Sequence, residues 1–138
     1  MRSQRCRTSV LVVDASIIAP ALADGGDDGD ACRRKISGAL LAAPDLLRLE
    51  TMSVLRRHSA NGSLSDRQAH DALDDLLDLR LTVYPTGPLL RRIWELRSNV
   101  SAYDAAYVAL AEALDCPLAT ADARLTRAPG PRCRFDLA

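Results

Sequence analysis

The stretch "TSVLVVDASIIAP", residues 8–20, decides the fold. Within it, "SVLVVD" is continuously apolar and rich in β-branched side chains, the pattern of a strand buried on both faces, as the central strands of parallel sheets are. Asp14 then stands at the carboxyl end of that strand, and "ASIIAPAL" reads as a short helix following it. A single carboxylate in a run that is otherwise apolar or hydroxylic needs a physical reason.

Outward from this strand, the chain alternates helices with short apolar runs. "ADGGDDGD" (23–30) reads as a solvated glycine and aspartate loop; its acids lack the spacing and the closing glutamate of a calcium-binding EF-hand. Residues 31–39 suggest a second helix. "LLAA" suggests a brief strand before Pro44, which fits the first turn of the helix "PDLLRLETMSVLRRHSA", ending near Asn61-Gly62. In "SLSDRQAHDALDDLLDLR", Ser65 and Gln68 have capping-box spacing, and Ala69, Ala72, Leu73, Leu76 and Leu77 repeat on one helical face with the aspartates outward. "LTVY" is a short strand and "GPLLRRIWELR" a helix with Pro88 early. "SAYDAAYVALAEAL" is a helix apolar nearly all round, hence buried or covered by a partner. "CPLAT" reads as an interior strand, "ADARLTRA" as a helical turn or two and "CRFDL" as an edge strand. Such alternation implies an α/β protein with a parallel sheet between helix layers. Without an internal repeat or a linker, residues 1–138 are expected to form one domain.

Composition sets the outer limits. With 138 residues, 48% hydrophobic and 26% charged, the chain can bury a core without disulfide or metal staples. The formal net charge is zero, so no global field draws it to a polyanion, and any such partner must meet a local patch. Lys35 is the sole lysine among 18 basic residues, a bias read as genomic composition before phosphate recognition. Cys6, Cys32, Cys116 and Cys133 form no Cys-x-x-Cys pair, which argues against zinc. The N-terminal apolar run is short and broken by Asp14, so neither a signal peptide nor a membrane span is expected. A cytoplasmic protein with reduced thiols is the expectation.

Four acids stand out. In open parallel sheets chemistry gathers at the carboxyl ends of strands, where Asp14 and, in "LATAD", Asp122 lie; either alone also reads as the N-cap of the next helix. Glu50 has Leu46, Leu47, Ser53 and Val54 as its helical neighbours, so it projects from an apolar face without a Lys or Arg on its own helix. Such a glutamate needs an interior arginine from elsewhere or a functional reason. Asp104 lies in the most apolar helix, with Val100, Ser101, Tyr107 and Val108 around it, and Ser101 with Asp104 makes a Ser-x-x-Asp variant of a capping box. If the four converge, each pair at ~4 Å repels by about 4 kcal/mol at an effective dielectric near 20, against a domain stability of roughly 5–15 kcal/mol. The cluster then requires a cation or raised pKa values. Oxygen ligands favour Mg²⁺ or Mn²⁺ over zinc, and a hard cation in an open carboxylate site suits phosphodiester hydrolysis.

At these residues the sequence resembles a known family. "VLVVDASIIAPAL", "APDLLRLETMSVLRR", "ELRSNVSAYDAAYVALAEAL" and "PLATADARLTRA" are similar, in order and spacing, to the successive motifs of PIN-domain ribonucleases, in particular VapC-type toxins of bacterial toxin–antitoxin pairs, over residues 9 to 128. The resemblance implies a three-layer α/β/α fold with a mainly parallel five-stranded sheet. It implies a Mg²⁺- or Mn²⁺-dependent endoribonuclease acting on RNA, a cognate VapB-like antitoxin that blocks the site, and commonly a homodimer. The family's acidic quartet falls on Asp14, Glu50, Asp104 and Asp122 and its hydroxyl on Thr120, with Ser16 and Asn99 as supporting positions. Asp14 and Asp104 would hold the principal ion, and Glu50 and Asp122 would position water or a second ion; the products would carry a 5′-phosphate and a 3′-hydroxyl. His58 and His70 lie on polar helical faces and read as solvated. Arg56, Arg57, Arg91, Arg92 and Arg97 are the candidate phosphate contacts, against a plain surface role. A phosphoacceptor domain fits poorly, since the second aspartate of the dehalogenase-type phosphatases is Ser16 here and receivers need a late lysine. A module that keeps the fold and binds RNA or protein without cleaving it is the remaining alternative.

Overall fold

A computed structural model describes residues 9–138; Cys6 and the basic N-terminal segment lie outside the described residues. The five strands are β1 (Val10–Val13), β2 (Leu40–Pro44), β3 (Thr82–Tyr84), β4 (Leu118–Thr120) and β5 (Phe135–Leu137). They form one sheet in the order β3-β2-β1-β4-β5, with every pairing parallel. The "VLVV" run therefore sits at the centre, flanked by β2 and β4, and Val12 and Val13 are fully buried. Its hydrophobicity on consecutive positions follows from helices covering both faces.

The helices are α1 (Ala15–Ala23), α2 (Asp27–Ile36), α3 (Leu47–Ala60), α4 (Asp66–Asp78), α5 (Leu90–Glu95), α6 (Ala102–Leu114) and α7 (Ala123–Arg127). Helices α1 to α4 pack among themselves, while α6 lies against β1, β2 and β4 with α5 beside it, giving the three-layer α/β/α architecture. Residues 105–111 of α6 are all buried, as an all-round apolar helix should be. The Ser65/Gln68 capping box is formed in both directions. From that helix Ala72 and Leu76 enter the core, but Leu77 is 66% exposed, so the buried stripe is narrower than its apolar pattern.

Three boundaries depart from the sequence reading. The loop expected over 23–30 is confined to 24–26, because Asp27, Asp28 and Asp30 occupy the first turn of α2, where the helix dipole favours acids. That tight connection is tied by Arg33, whose guanidinium donates to the Ala21 and Asp24 carbonyls at 3.0 and 2.7 Å. It also demands Gly29, since a Cβ there would lie 1.9 Å from the Asp24 carbonyl oxygen. Pro44 is the last residue of β2, in register with Tyr84, and not in the first turn of a helix; α3 starts three residues later. The "GPLLRRIWELR" segment divides into a 3-10 turn (Gly87–Leu89) and the short α5. Cys32, Cys116 and Cys133 are free thiols. No described helix is long and apolar enough to cross a membrane.

Candidate active site

The strand order places the site. From β1 the chain builds outward to β2 and β3 on one side and to β4 and β5 on the other, so the β1/β4 boundary is a topological switch point, where ligands of open α/β sheets bind. Val13 of β1 is in register with Ala119 of β4. The residues immediately beyond, Asp14 and Thr120, therefore emerge side by side.

Asp14 is buried and held through both oxygens. Oδ1 accepts from the Ser16 backbone N–H at 3.1 Å and from the Ser16 hydroxyl; Oδ2 accepts from Thr120 Oγ1 at 2.6 Å. The two hydroxyls lie 3.3 Å apart, and backbone amides complete the knot: Ala121 N–H donates to Ser16 Oγ at 2.8 Å and Asp122 N–H to Thr120 Oγ1 at 3.1 Å. Asp14 is thus the N-cap of α1 and part of this network at once. Asp122 likewise caps α7, its Oδ1 accepting from Arg124 N–H at 2.9 Å and Leu125 N–H at 3.3 Å. Asp104 sits in the first turn of α6, where its backbone N–H donates to the Ser101 hydroxyl at 3.2 Å. Glu50, in the first turn of α3, pairs with no arginine among the described residues; its Oε1 accepts from the Tyr107 hydroxyl at 2.6 Å.

The electrostatics join all four acids. Burial pushes the Asp14 carboxyl above its usual value, the Ser16 and Thr120 hydroxyls pull it back, and the Asp104 charge raises it further. Burial also raises Glu50; its bond from Tyr107 opposes this, and the charges of Asp104 and Asp14 add to it. Asp104 is raised by burial, lowered by Ser101 and raised by Asp122. Among the described residues, the charges that act on these three acids are other carboxylates. Among the described residues no countercharge offsets their mutual repulsion.

Among the described residues no three His, Cys, Asp or Glu side chains stand close enough together to ligate one ion. Each acid is tied separately: Asp14 to Ser16 and Thr120, Glu50 to Tyr107, Asp122 to the first amides of α7, and the Asp104 turn to Ser101. The donor set still fits Mg²⁺, which keeps several waters and is commonly bound through one or two carboxylates. Of the supporting positions, Ser16 belongs to the network, whereas Asn99 is exposed, with its backbone N–H on the Leu96 carbonyl at 3.2 Å.

Tyr107 is the residue that the sequence reading passed over. It lies three residues after Asp104, a spacing that puts both on one helix face, and that spacing was the available signal. Arg92 is not available as a phosphate contact: its guanidinium forks onto Glu112 at 2.7 and 3.1 Å and reaches the Gly130 carbonyl at 2.9 Å. Arg56, Arg57, Arg91 and Arg97 are exposed, and Arg97 stacks over Trp94 at 4.5 Å from the ring centroid. His70 is exposed, but His58 is half-buried and lines a cleft of about 380 Å³ with Ala19, Leu55, Leu64 and Gln68, so it is not simply solvated.

Residues 11–131 match the PIN domain family model. The sequence is 44% identical over 127 residues to ribonuclease VapC1 of Mycobacterium tuberculosis, covering 91% of this chain and 96% of that protein. The chain belongs to the VapC-type PIN-domain family. Solved structures share its architecture at low identity. Mycobacterium tuberculosis VapC20, described as a sarcin–ricin loop cleaving toxin, superposes with a TM-score of 0.66 at 18% identity over 85% of this chain and 93% of that one. VapBC2 of Rickettsia felis, bound to a DNA fragment from its promoter, gives 0.66 at 16% identity over 94% and 98%.

Proposed function

We propose that this VapC-type PIN domain is a Mg²⁺- or Mn²⁺-dependent endoribonuclease, the toxin of a type II toxin–antitoxin pair, folded as one domain over residues 1–138 and working in the cytoplasm. The observation that carries the reading is a set of four acids linked through their electrostatics around the β1/β4 switch point, with no basic partner among the described residues. Asp14 and Asp104 would hold the cation, with Glu50 and Asp122 beside it. When bound, such a cation lowers the pKa of water and polarises a phosphoryl oxygen.

The chain's own residues have separable tasks. Ser16 and Thr120 donate to Asp14, which favours its charged form and fixes its direction despite burial. Glu50, held by the Tyr107 hydroxyl, would position water or a second ion beside that cation. Exposed arginines such as Arg56, Arg57, Arg91 and Arg97 offer charge for the RNA backbone. The neighbouring solved complexes are named VapBC, which supports a VapB-like antitoxin as partner. An arginine of that partner would complement the acids, and an apolar helix would cover a groove. A homodimer is part of the same proposal.

The test is cleavage of a structured RNA by purified protein in EDTA and after addition of Mg²⁺ or Mn²⁺. Activity should appear only with the cation, leave 5′-phosphate ends, and fall at least roughly 10²-fold in Asp14→Asn and in Asp104→Asn. Undiminished cleavage by both variants refutes the site, and binding without any cleavage favours the inert module. Sequencing RNA 5′ ends after induction of the chain without its partner identifies the substrate.

A further inference from the structure

Tyr107 is a phenol only 1% exposed in the middle of α6, the helix that carries Asp104 and lies against β1 and β2. Its hydroxyl reaches across 57 residues of sequence to Glu50 Oε1 at 2.6 Å. A buried tyrosine hydroxyl needs an acceptor, and this one takes a carboxylate of the acidic cluster. The other acids are held by their own surroundings: Asp14 by Ser16 and Thr120, Asp122 by the first amides of α7, Asp104 on a short side chain beside Ser101. Glu50 has the longest side chain of the four, and among the described residues the Tyr107 hydroxyl is the one hydrogen bond its carboxylate receives.

We propose that Tyr107 is a positioning residue of this site: its phenol fixes the Glu50 carboxylate relative to α6 and Asp104, so that a divalent cation meets a preformed acid instead of a mobile one. The inference rests on the metal-dependent reading of the quartet. A short bond from a neutral donor to a carboxylate is a strong, directional restraint. Partners that orient metal-ligating side chains typically alter metal affinity or activity by about 10–100-fold when removed.

The experiment measures Mn²⁺ binding to the purified full chain without RNA, by the electron paramagnetic resonance of free Mn²⁺, alongside melting temperature and RNA cleavage. Tyr107→Phe removes one oxygen and keeps the ring. It should weaken Mn²⁺ roughly 10-fold or more and lower kcat with little change in KM for RNA. On a Glu50→Gln background it should add nothing. A merely structural tyrosine would change the melting temperature and leave the Mn²⁺ dissociation constant alone. If Glu50→Gln weakens Mn²⁺ but Tyr107→Phe does not, the inference is wrong and the site reading survives. If neither does, the placement of Glu50 in the metal site falls, and the inference with it. Should Tyr107→Phe fail to fold, Glu50→Asp withdraws the carboxylate from the phenol by one methylene, retains the charge and leaves the core untouched. The same loss of Mn²⁺ affinity is then required, and unchanged affinity overturns the proposal.

Discussion

Replacing Thr120 by valine tests the network under Asp14 directly. Thr120 is fully buried; its hydroxyl donates to Asp14 Oδ2 at 2.6 Å and accepts the Asp122 N–H at 3.1 Å. Valine keeps the shape and deletes both bonds. A hydrogen bond to a charged group contributes about 1.5–3 kcal/mol, and the amide left short of a partner adds to the cost, so the variant should lose roughly 2–4 kcal/mol. For a chain of this length that corresponds to a fall in Tm of roughly 6–15 °C. Thr120→Ser keeps the hydroxyl and loses a methyl group, and should cost only about 1 kcal/mol. The pH dependence separates the hydrogen bond from packing. The Thr120 bond lowers the pKa of Asp14, which burial has already raised above the ordinary 3.8. Deleting the bond raises the folded-state value further, while the unfolded value is unchanged. The folded variant then holds its proton where the folded wild type has released it, so the stability deficit grows as pH rises through that window. Below the window Asp14 is protonated in both proteins and the deficit narrows. Thermal melts of the three proteins in EDTA, from acid to neutral pH, read all of this. A valine variant that melts with the serine variant at every pH refutes the network.

Three further outcomes follow from particular contacts. Asp104→Asn removes a like charge and keeps the backbone bond to Ser101, so it should melt higher than wild type in EDTA, with the advantage developing as pH rises above ordinary carboxylate values. Mg²⁺ should raise the wild-type Tm more than the variant's, and a variant that melts lower in EDTA would mark Asp104 as a mere cap. Arg92→Ala should destabilise by roughly 1–3 kcal/mol at neutral pH while leaving KM for RNA unchanged; because Arg92 holds the Glu112 carboxyl below its usual value, that contribution is lost as pH falls through the lowered value, and a raised KM would make Arg92 a phosphate contact after all. Gly29→Ala should cost at least about 1–3 kcal/mol in denaturant unfolding, since its Cβ would strike the Asp24 carbonyl and the tight α1–α2 connection must open; a neutral effect would contradict that geometry.

The sequence by itself determined what depends on local pattern. Continuous β-branched apolar residues specify β1 as a two-sided strand, all-round apolarity specifies α6 as buried, and Ser65 with Gln68 specifies a helix start, because burial periodicity and backbone capping are properties of a few adjacent residues. The cap positions of Asp14 and Asp122 were legible for the same reason, since an acid after a strand is a local signal for the start of the next helix. Local pattern misled where a distant group decides. Pro44 closes a strand because β3 pairs beside it. Only the tertiary structure decided that Asp14 meets Thr120 across 106 residues, that Glu50 is held by Tyr107, and that Arg92 is taken by Glu112. These contacts depend on strand order and on which helix crosses which strand. That order is set by the packing of the whole chain, and no single segment carries it.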